Sequence, residues 1–386
     1  MDHAIAILEL LRQRGAASRT ELAELTGLSP ATISRSIARL RRDGLVVESV
    51  AGGAGAGRPP RTVELRPEAA LVLGIDAGGT RIRAVLTDLE GTVRASATGV
   101  VRSARRAGRI LDAIADLAAR ARSAIPRDRV LAAGAGISGI VDQTSGTVLL
   151  SPDLPGLEGL AVADQLEERL GLPVGIDNDD VLAAVGEASF GAARGCSDVV
   201  FLSLGLGLGA GLIVGGRPVR GARSAAGAIA YLAPGRLEER ASGRVIPRRY
   251  LKLAGLEESR TRDLDAREVF RRAETGDRAA ARVIAEATEA LGHLVVNVAA
   301  LIDPEIIVVG GGLSESGPRL IERLAERLAR SVPYPPRLVR SELGEEAVGL
   351  GAAALALTLA KQRLAARSRP ISIHAEPARM GALELV

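Results

Sequence analysis

Apolar residues recur at helical spacing along the first 66 positions of the chain. In the stretch HAIAILELLRQRG, Ile5, Leu8 and Leu11 fall on one face of a helix that should end near the following glycine. A second helix should begin after Ser18, because Glu21 follows three residues later at the spacing of a capping box. The pattern therefore predicts two short amphipathic helices at the start of the chain.

A third helix is predicted immediately after the short turn TGLS. Ser29 is a typical N-cap residue and Pro30 suits the first helical position, while Ile33, Ile37 and Leu40 then share one face. Two helices joined by so short a turn, the second with a polar outer face, are typical of a helix-turn-helix.

The segments GLVVESV and RTVELRP are predicted to be two strands around the glycine-rich tip AGGAGAGRPP, which indicates a wing. Residues 1–66 are therefore predicted to form a winged helix-turn-helix domain that binds a double-stranded DNA operator; the alternative is a generic helical bundle with a flexible linker. We expect the third helix to enter the major groove and the wing to reach the minor groove or the backbone. The DNA-binding candidates are Ser29, Pro30, Ala31, Thr32, Ser34, Arg35, Arg39 and, on the wing, Arg58.

Beyond residue 70 the pattern alternates between short apolar runs, predicted as buried strands, and longer helical stretches. Residues 70–195 and 196–365 each give a sheet covered by helices, which predicts a two-lobed α/β body with a cleft between the lobes. A tail, 366–386, follows, and its sequence indicates no function. The longest uncharged run, 199–216, holds six glycines, which favours a strand, a turn and a strand over a membrane helix, so no membrane partner is predicted.

Charge and composition narrow the choice of function. The formal net charge is +4, and ten arginines against seven acidic residues within residues 1–66 account for +3 of it, as expected for contact with a polyanion. A single cysteine, Cys196, excludes an internal disulfide, and three scattered histidines are too few for a tetrahedral zinc site. Because the start of the chain is also unlike a signal peptide, we expect a cytoplasmic protein.

Several motifs in fixed order resemble one known family. The segment LTGLSPATISRSIARLRRDGLV, the GRPP wing and the stretch LGIDAGGTRIRAVLTDLEG together resemble the ROK family, which joins sugar-kinase-fold repressors and bacterial sugar kinases. The resemblance covers nearly the whole chain before the tail. It implies a winged helix-turn-helix fused to a two-lobed α/β, actin-like body of the sugar kinase and ribonuclease H-like type.

The resemblance implies a nucleotide site built from three glycine-rich loops. In DAGGT, Asp76 would face a metal ion or its water, and the glycines would let backbone amides approach phosphate oxygens. In the second loop, GLGLGAG, Leu206 stands where the family usually has a threonine, and leucine can donate no hydrogen bond to a phosphate. The nucleotide-binding candidates are Asp76, Gly78, Gly79, Thr80, Gly207, Gly209 and, in VVGGGLS, Gly311.

The resemblance also implies a sugar site. The stretch GIDNDDVLAAVGEASFGAARG resembles the family's Asn-Asp-Ala-Asn segment, with Asp179 at the position of the base that accepts a proton from the attacking sugar hydroxyl. The segment's second asparagine is Val181 here. The ligand-binding candidates are Gly139, Asn178, Asp179 and Glu238, with Asp179 as a vestigial catalytic base.

The largest departure from the family lies in AAGAIAYLAPGRLEERASG. Ala228, Ala230 and Tyr231 replace the family's glutamate, glycine and histidine, and the loop of three zinc-binding cysteines is missing, so no structural zinc is predicted. Ser138 and Asp153 also replace a usual proline and a common asparagine. Each lost hydrogen bond to a charged group is worth about 1.5–3 kcal/mol, so a standard hexose would be held loosely and phosphoryl transfer should suffer.

Three functions follow from these patterns. The leading hypothesis is a transcriptional regulator, a repressor of carbohydrate-related genes, that binds a palindromic operator as a homodimer or tetramer and senses a sugar or sugar derivative without catalysis. It needs no cofactor, and neither ATP nor magnesium is required. The alternative is an active ATP-dependent sugar kinase that also binds DNA. A third is a DNA-binding or scaffold protein that takes no ligand.

Overall fold

A computed structural model describes residues 3–50, 61–101, 103–126, 129–232, 236–257, 264–316 and 318–366. The chain forms two compact units: Met1–Ala69 with Thr358–Val386, and Ala70–Leu357. We call them the N-terminal unit and the body. The predicted tail beyond residue 366 and the predicted wing tip with Arg58 lie outside the described residues.

The N-terminal unit has the predicted order of helices and strands. Its elements are α1 (His3–Arg14), β1 (Ala17–Ser18), α2 (Arg19–Thr26), α3 (Pro30–Arg42), β2 (Val46–Val50) and β3 (Arg61–Leu65). The capping box of Ser18 and Glu21 is present at the start of α2, and Ser29 caps α3 with Pro30 in its first turn. The three strands form an antiparallel sheet in the order β1-β3-β2, so the predicted helix-turn-helix and paired wing strands are confirmed.

The first half of the body is a five-stranded sheet with helices packed on it. Its elements are β4 (Leu71–Ala77), β5 (Arg81–Asp88), β6 (Val93–Val100), α4 (Ala107–Ala121), β7 (Val130–Ile137), β8 (Ile140–Asp142), β9 (Thr147–Leu150), α5 (Val162–Leu170) and β10 (Val174–Asn178). The strand order is β10-β7-β4-β5-β6, and β8 pairs separately with β9.

The second half repeats this arrangement. Its elements are α6 (Asp179–Phe190), β11 (Val199–Leu204), β12 (Leu208–Val214), β13 (Arg217–Pro218), α7 (Glu238–Ala241), α8 (Val245–Leu253), α9 (Ala266–Glu274), α10 (Arg278–Ile302), β14 (Ile306–Gly310), α11 (Gly312–Ser316), α12 (Pro318–Ser331), β15 (Arg337–Arg340) and α13 (Ala347–Ala366). The strand order is β13-β12-β11-β14-β15.

The two sheets therefore have the same topology. In each, three consecutive strands pair antiparallel and two later strands add in parallel beside the first of them. Because each sheet is an α/β unit with its own apolar core, the predicted succession of two sheet-plus-helix units is confirmed.

Helix α13 packs directly on the backbone of the first sheet. Gly74 on β4 and Gly134 on β7 are neighbours in register. A Cβ atom at Gly74 would lie 1.9 Å from the carbonyl oxygen of Gly349, and one at Gly134 would lie 2.0 Å from that of Ala352. Only glycine allows so close an approach, so these positions fix where the helix crosses the sheet.

The last part of α13, from Thr358 onward, belongs to the N-terminal unit. The sequence had instead predicted that the second lobe extends to residue 365. Within that unit Lys361 forms an ion pair with Glu9 of α1, which also pairs with Arg12 at 2.6 Å. Burial alone would raise the pKa of Glu9, but the hydrogen bonds from Arg12 and Lys361 outweigh it and lower the pKa to about 2.

Of the described helices, α10 is the one that is long and apolar enough to cross a membrane by length and composition. However, 56% of its most apolar window is buried inside the protein. It packs against α7, α8, α9 and α12, as the central helix of a globular core does.

Candidate functional site

Helix α3 has one buried face and one exposed face. Ile33, Ile37 and Leu40 are fully buried against the rest of the N-terminal unit, as the apolar spacing predicts. The opposite face exposes Ala31, Arg35, Ala38 and Arg42, which follow one another at helical spacing. This row presents two guanidinium groups and two small side chains, a surface that suits close approach to a DNA groove.

Three other DNA-binding candidates, one capping α3 and two on it, have partners within the protein. The Ser29 hydroxyl accepts a hydrogen bond from the backbone N–H of Thr32 at 3.3 Å, so it caps the helix. The Ser34 hydroxyl accepts a hydrogen bond from Arg19 Nη1 at 3.0 Å. Arg39 forms an ion pair with Asp43, with 3.7 Å between Nε and Oδ2. Ala38 and Arg42 were missed, although counting seven residues along the helix from Ala31 and from Arg35 would have found them.

The body contains a cavity of about 380 Å³ lined by loops from both of its halves. It brings together eight of the predicted ligand and nucleotide residues: Gly78, Gly79, Gly139, Asn178, Asp179, Gly207, Gly209 and Glu238. Asp76, Thr80 and Gly311 are not among its lining residues. Gly311 has a φ of +82°, and a Cβ there would lie 2.5 Å from the carbonyl oxygen of Leu204, so a tight turn explains this glycine.

Asn178 holds Asp179 in place at the start of α6. Its Oδ1 accepts from the backbone N–H of Val181 at 2.9 Å and caps the helix. Its Nδ2 donates to the carbonyl oxygen of Gly139 at 2.8 Å and to Asp179 Oδ1 at 3.0 Å. Since both amide protons and the carbonyl are engaged within the protein, Asn178 positions the neighbouring carboxylate.

The carboxyl group of Asp179 favours its protonated form. Burial raises the pKa of Asp179 well above its ordinary value, and the negative charges of Asp180 and Asp76 raise it further, against a hydrogen bond from Ser138. Burial likewise raises the pKa of Asp76 to about 6, although Arg83 partly opposes the shift. A protonated carboxyl group cannot accept the proton of an attacking hydroxyl, so this environment is unfavourable for a general base.

Asp180 is the main lining residue that the sequence did not single out. It stands where the family's Asn-Asp-Ala-Asn segment has alanine, and its carboxylate lies against the second glycine-rich loop. A Cβ atom at Gly209 would be 1.7 Å from Asp180 Oδ2, and one at Gly207 would be 3.0 Å from Glu238 Oε1. Both glycines predicted to admit a phosphate are therefore already approached by carboxylate oxygens.

The rim of the cavity carries apolar and ion-paired side chains. Leu206 and Tyr231 are 54% and 56% exposed and offer apolar surface to a ligand. Arg244, a lining residue that the sequence did not suggest, forms an ion pair at 3.0 Å with Asp153. Asp153 in turn lies against Gly79, because a Cβ atom added at Gly79 would be 2.6 Å from the Cβ of Asp153.

The residues present do not fit the family's zinc or its full nucleotide site. Residues 228–238 contain neither cysteine nor histidine, so the zinc ligands of the family have no counterparts there. The first phosphate loop keeps Asp76, Gly78 and Gly79, whereas the second faces two carboxylates and has leucine in place of a hydroxyl donor.

Comparison with known proteins agrees with these features. Residues 72–359 match the ROK family, and residues 2–47 match a winged helix-turn-helix DNA-binding domain. The chain is 28% identical over 379 residues to the xylose repressor of Caldicellulosiruptor bescii, covering 92% of this chain and 95% of that protein.

Two solved structures share its fold. A ROK family transcriptional regulator, a homolog of the E. coli MLC protein, superposes with a TM-score of 0.79 at 24% identity, covering 94% of this chain and 96% of that one. A ROK family glucokinase from Streptomyces griseus, in complex with glucose and AMPPNP, gives a TM-score of 0.65 at 30% identity, covering 75% of this chain and all of that one. With three quarters of its length matching the family in sequence and structure, the chain belongs to the ROK family.

Proposed function

We propose that the protein is a transcriptional repressor whose body binds a sugar and does not transfer phosphate. The observation that carries the proposal is the succession of a winged helix-turn-helix, residues 2–47, and a ROK body, residues 72–359, on one chain. The similarity to a xylose repressor across 92% of the chain supports the same combination of a DNA-binding domain and a sugar-binding body. In this proposal the protein acts in the cytoplasm with the DNA that it binds.

The exposed face of α3 is the DNA-reading surface in this proposal. Arg35 and Arg42 are exposed, and Arg35 makes no hydrogen bond or ion pair with the described part of the chain. A free guanidinium group can donate two hydrogen bonds to the edge of a guanine in the major groove. Arg58, at the tip of the wing that the sequence predicts, would add a contact in the minor groove or with the DNA backbone. Two copies of the chain would bind a palindromic operator as a dimer, or as a pair of dimers.

The sugar occupies the cavity of the body. The carboxylates of Asp153 and Glu238 and the carboxyl group of Asp179 accept hydrogen bonds from sugar hydroxyls, and Tyr231 and Leu206 cover an apolar face of the ring. Neither ATP, magnesium nor zinc is needed for this role. A sugar that binds the cavity more tightly in one conformation of the body would shift the protein toward that conformation and so change its affinity for the operator.

One set of residues favours the alternative of an active kinase. Asp76, Gly78, Gly79 and Asp179 all remain in place, and the chain is 30% identical to a glucokinase. A coupled assay with ATP, magnesium and a panel of sugars tests this alternative directly. Sugar phosphorylation that disappears in the Asp179→Ala variant would establish the kinase and refute a purely sensory body.

The DNA-binding role is tested at Arg35. Operators are first selected from random DNA with the full-length protein, and binding is then measured for the Arg35→Ala variant. Loss of a base-reading arginine should weaken specific binding by about 1–3 kcal/mol, or roughly 5- to 150-fold. Arg330→Ala is the control, because Arg330 lies on α12 of the body with 82% of its side chain exposed. Equal operator affinities for the two variants would refute the placement of α3 in the groove.

A further inference from the structure

We infer that Asp180 is a specificity-determining residue that excludes phosphate groups from the cavity, so that the effector of this body is an unphosphorylated sugar. The sugar part of this inference rests on the proposed function, whereas the exclusion of phosphate does not. Asp180 itself lies at the start of α6, outside the glycine-rich loops that the family uses to bind phosphate.

The position of Asp180 follows from the packing of α6 on the second sheet. A Cβ atom at Gly211 would lie 2.0 Å from the backbone oxygen of Asp180, so the first turn of α6 rests directly on β12. The side chain is thereby directed along the same strand toward Gly209, and Ser203 on β11 donates a hydrogen bond to it. The carboxylate is held at the glycine-rich loop by backbone contact and by this hydrogen bond.

A phosphate at this loop would meet negative charge from two directions. Glycine-rich loops bind phosphate because small residues let oxygens come close to backbone N–H groups. Here the open sides of Gly209 and Gly207 face the carboxylates of Asp180 and Glu238. Like charges a few ångströms apart repel strongly at such a half-buried site.

The charges of the whole cavity act in the same direction. Acidic side chains outnumber basic ones among its described lining residues even without Asp179, which favours its protonated form: Asp153, Asp180 and Glu238 are acidic, and Arg244 is basic. Arg244 is already paired with Asp153 at 3.0 Å, which leaves no lining cation for a phosphate. Sugar hydroxyls, in contrast, are donors that carboxylates accept readily.

The experiment measures binding of two phosphate-bearing probes by calorimetry at pH 8, where Asp180 is ionised. The probes are AMPPNP with magnesium and glucose 6-phosphate, and the proteins are the full-length wild type, Asp180→Ala and Asp180→Asn. Asp112→Ala is the matched control, because it removes one negative charge from an exposed site on α4 outside the cavity. We expect both Asp180 variants to bind at least one probe about tenfold or more tightly than the wild type and the control.

The outcomes separate the inference from its alternatives. A gain for glucose 6-phosphate, with or without AMPPNP, supports the exclusion of a sugar phosphate and hence an unphosphorylated effector. A gain for AMPPNP alone supports the exclusion of a nucleotide phosphate but overturns the conclusion about the effector. A gain in Asp180→Ala without one in Asp180→Asn would mean that bulk and not charge closes the loop, which overturns the inference. Equal binding by all four proteins, or no binding by any, would also overturn it. Operator binding is measured separately, so failure of the repressor proposal leaves these outcomes readable.

Discussion

The two sheets of the body share one strand order, but the hairpins that begin them differ in chemistry. The first hairpin, β4 to β5, keeps Asp76 and the glycines at 78 and 79. The second, β11 to β12, has Leu206 at its tip and the carboxylate of Asp180 against Gly209. One hairpin could therefore still approach a phosphate, whereas the other repels it. Two sheets of the same topology thus present different chemistry at equivalent hairpins.

The scaffolds behind the hairpins resemble each other more closely than the hairpins do. In the first sheet, Gly134 lets α13 reach the strand backbone, with an added Cβ only 2.0 Å from a helix carbonyl oxygen. In the second, Gly211 does the same for α6, again at 2.0 Å. In each sheet a glycine thus lets a helix contact the strand backbone directly, and we expect the stability of the body to depend on both contacts whatever ligand the cavity binds.

The largest effect is expected when either contact is blocked. Gly134→Ala and Gly211→Ala each place a methyl group on a backbone oxygen that cannot move without shifting a helix. We expect each to lower the free energy of unfolding by at least about 3 kcal/mol, measured by denaturant unfolding followed by circular dichroism.

Gly108→Ala is the control for these two variants. Gly108 lies in the first turn of α4, and an added Cβ there meets nothing within 4 Å. We expect its unfolding free energy to stay within about 0.5 kcal/mol of the wild type or to rise slightly, since alanine favours helix. A large loss for Gly134→Ala without one for Gly211→Ala would show that the two sheets are not held in the same way.

A smaller effect, with a defined pH dependence, is expected at Asp180. Burial raises the pKa of Asp180 in the folded protein from 3.8 to about 6. Below pH 4 the group is protonated in both states and costs nothing, whereas above pH 6 it is ionised in both and the folded state bears the full penalty. Asp180→Asn should therefore stabilise the protein by about 1–2 kcal/mol at pH 8 and scarcely at all at pH 4.

Melting temperatures of the variant and the wild type across this range test the prediction. The pKa values of the neighbouring Asp179 and Asp76 are also raised. The melting temperatures of Asp179→Asn and Asp76→Asn are therefore measured over the same pH range and compared with those of Asp180→Asn. Stabilisation by Asp180→Asn that is equal at pH 4 and pH 8 would indicate that the side chain's shape, not its charge, is unfavourable.

The sequence could predict features that depend on neighbouring residues, but not contacts between residues far apart along the chain. The start of α3 at Pro30 and its buried face were predicted correctly because a cap, a proline and the apolar spacing are all local signals. Asp179 was placed by its resemblance to a family segment. The role of Asp180 could not be predicted, since it depends on contact with Gly209, 29 positions away, through the packing of α6 on β12. Likewise the hydrogen bond that the Ser34 hydroxyl accepts from Arg19 could not be predicted, because it joins two different helices.

The smallest effect on stability is expected at the rim of the cavity, where Arg244 pairs with Asp153. Their side chains are 45% and 38% exposed, and an ion pair so accessible to water contributes about 0–1 kcal/mol. Asp153→Ala should therefore leave the unfolding free energy within about 1 kcal/mol of the wild type. The variant also removes the carboxylate that lies against Gly79 and frees the guanidinium group of Arg244, so it should increase the attraction for phosphate at the first hairpin, measured as AMPPNP binding by calorimetry. The increase should be smaller than that produced by Asp180→Ala, because Arg244 is exposed and its charge is screened by solvent. An Asp153 variant that bound AMPPNP more tightly than the Asp180 variants would contradict the contrast between the hairpins, since the first one would then control phosphate access.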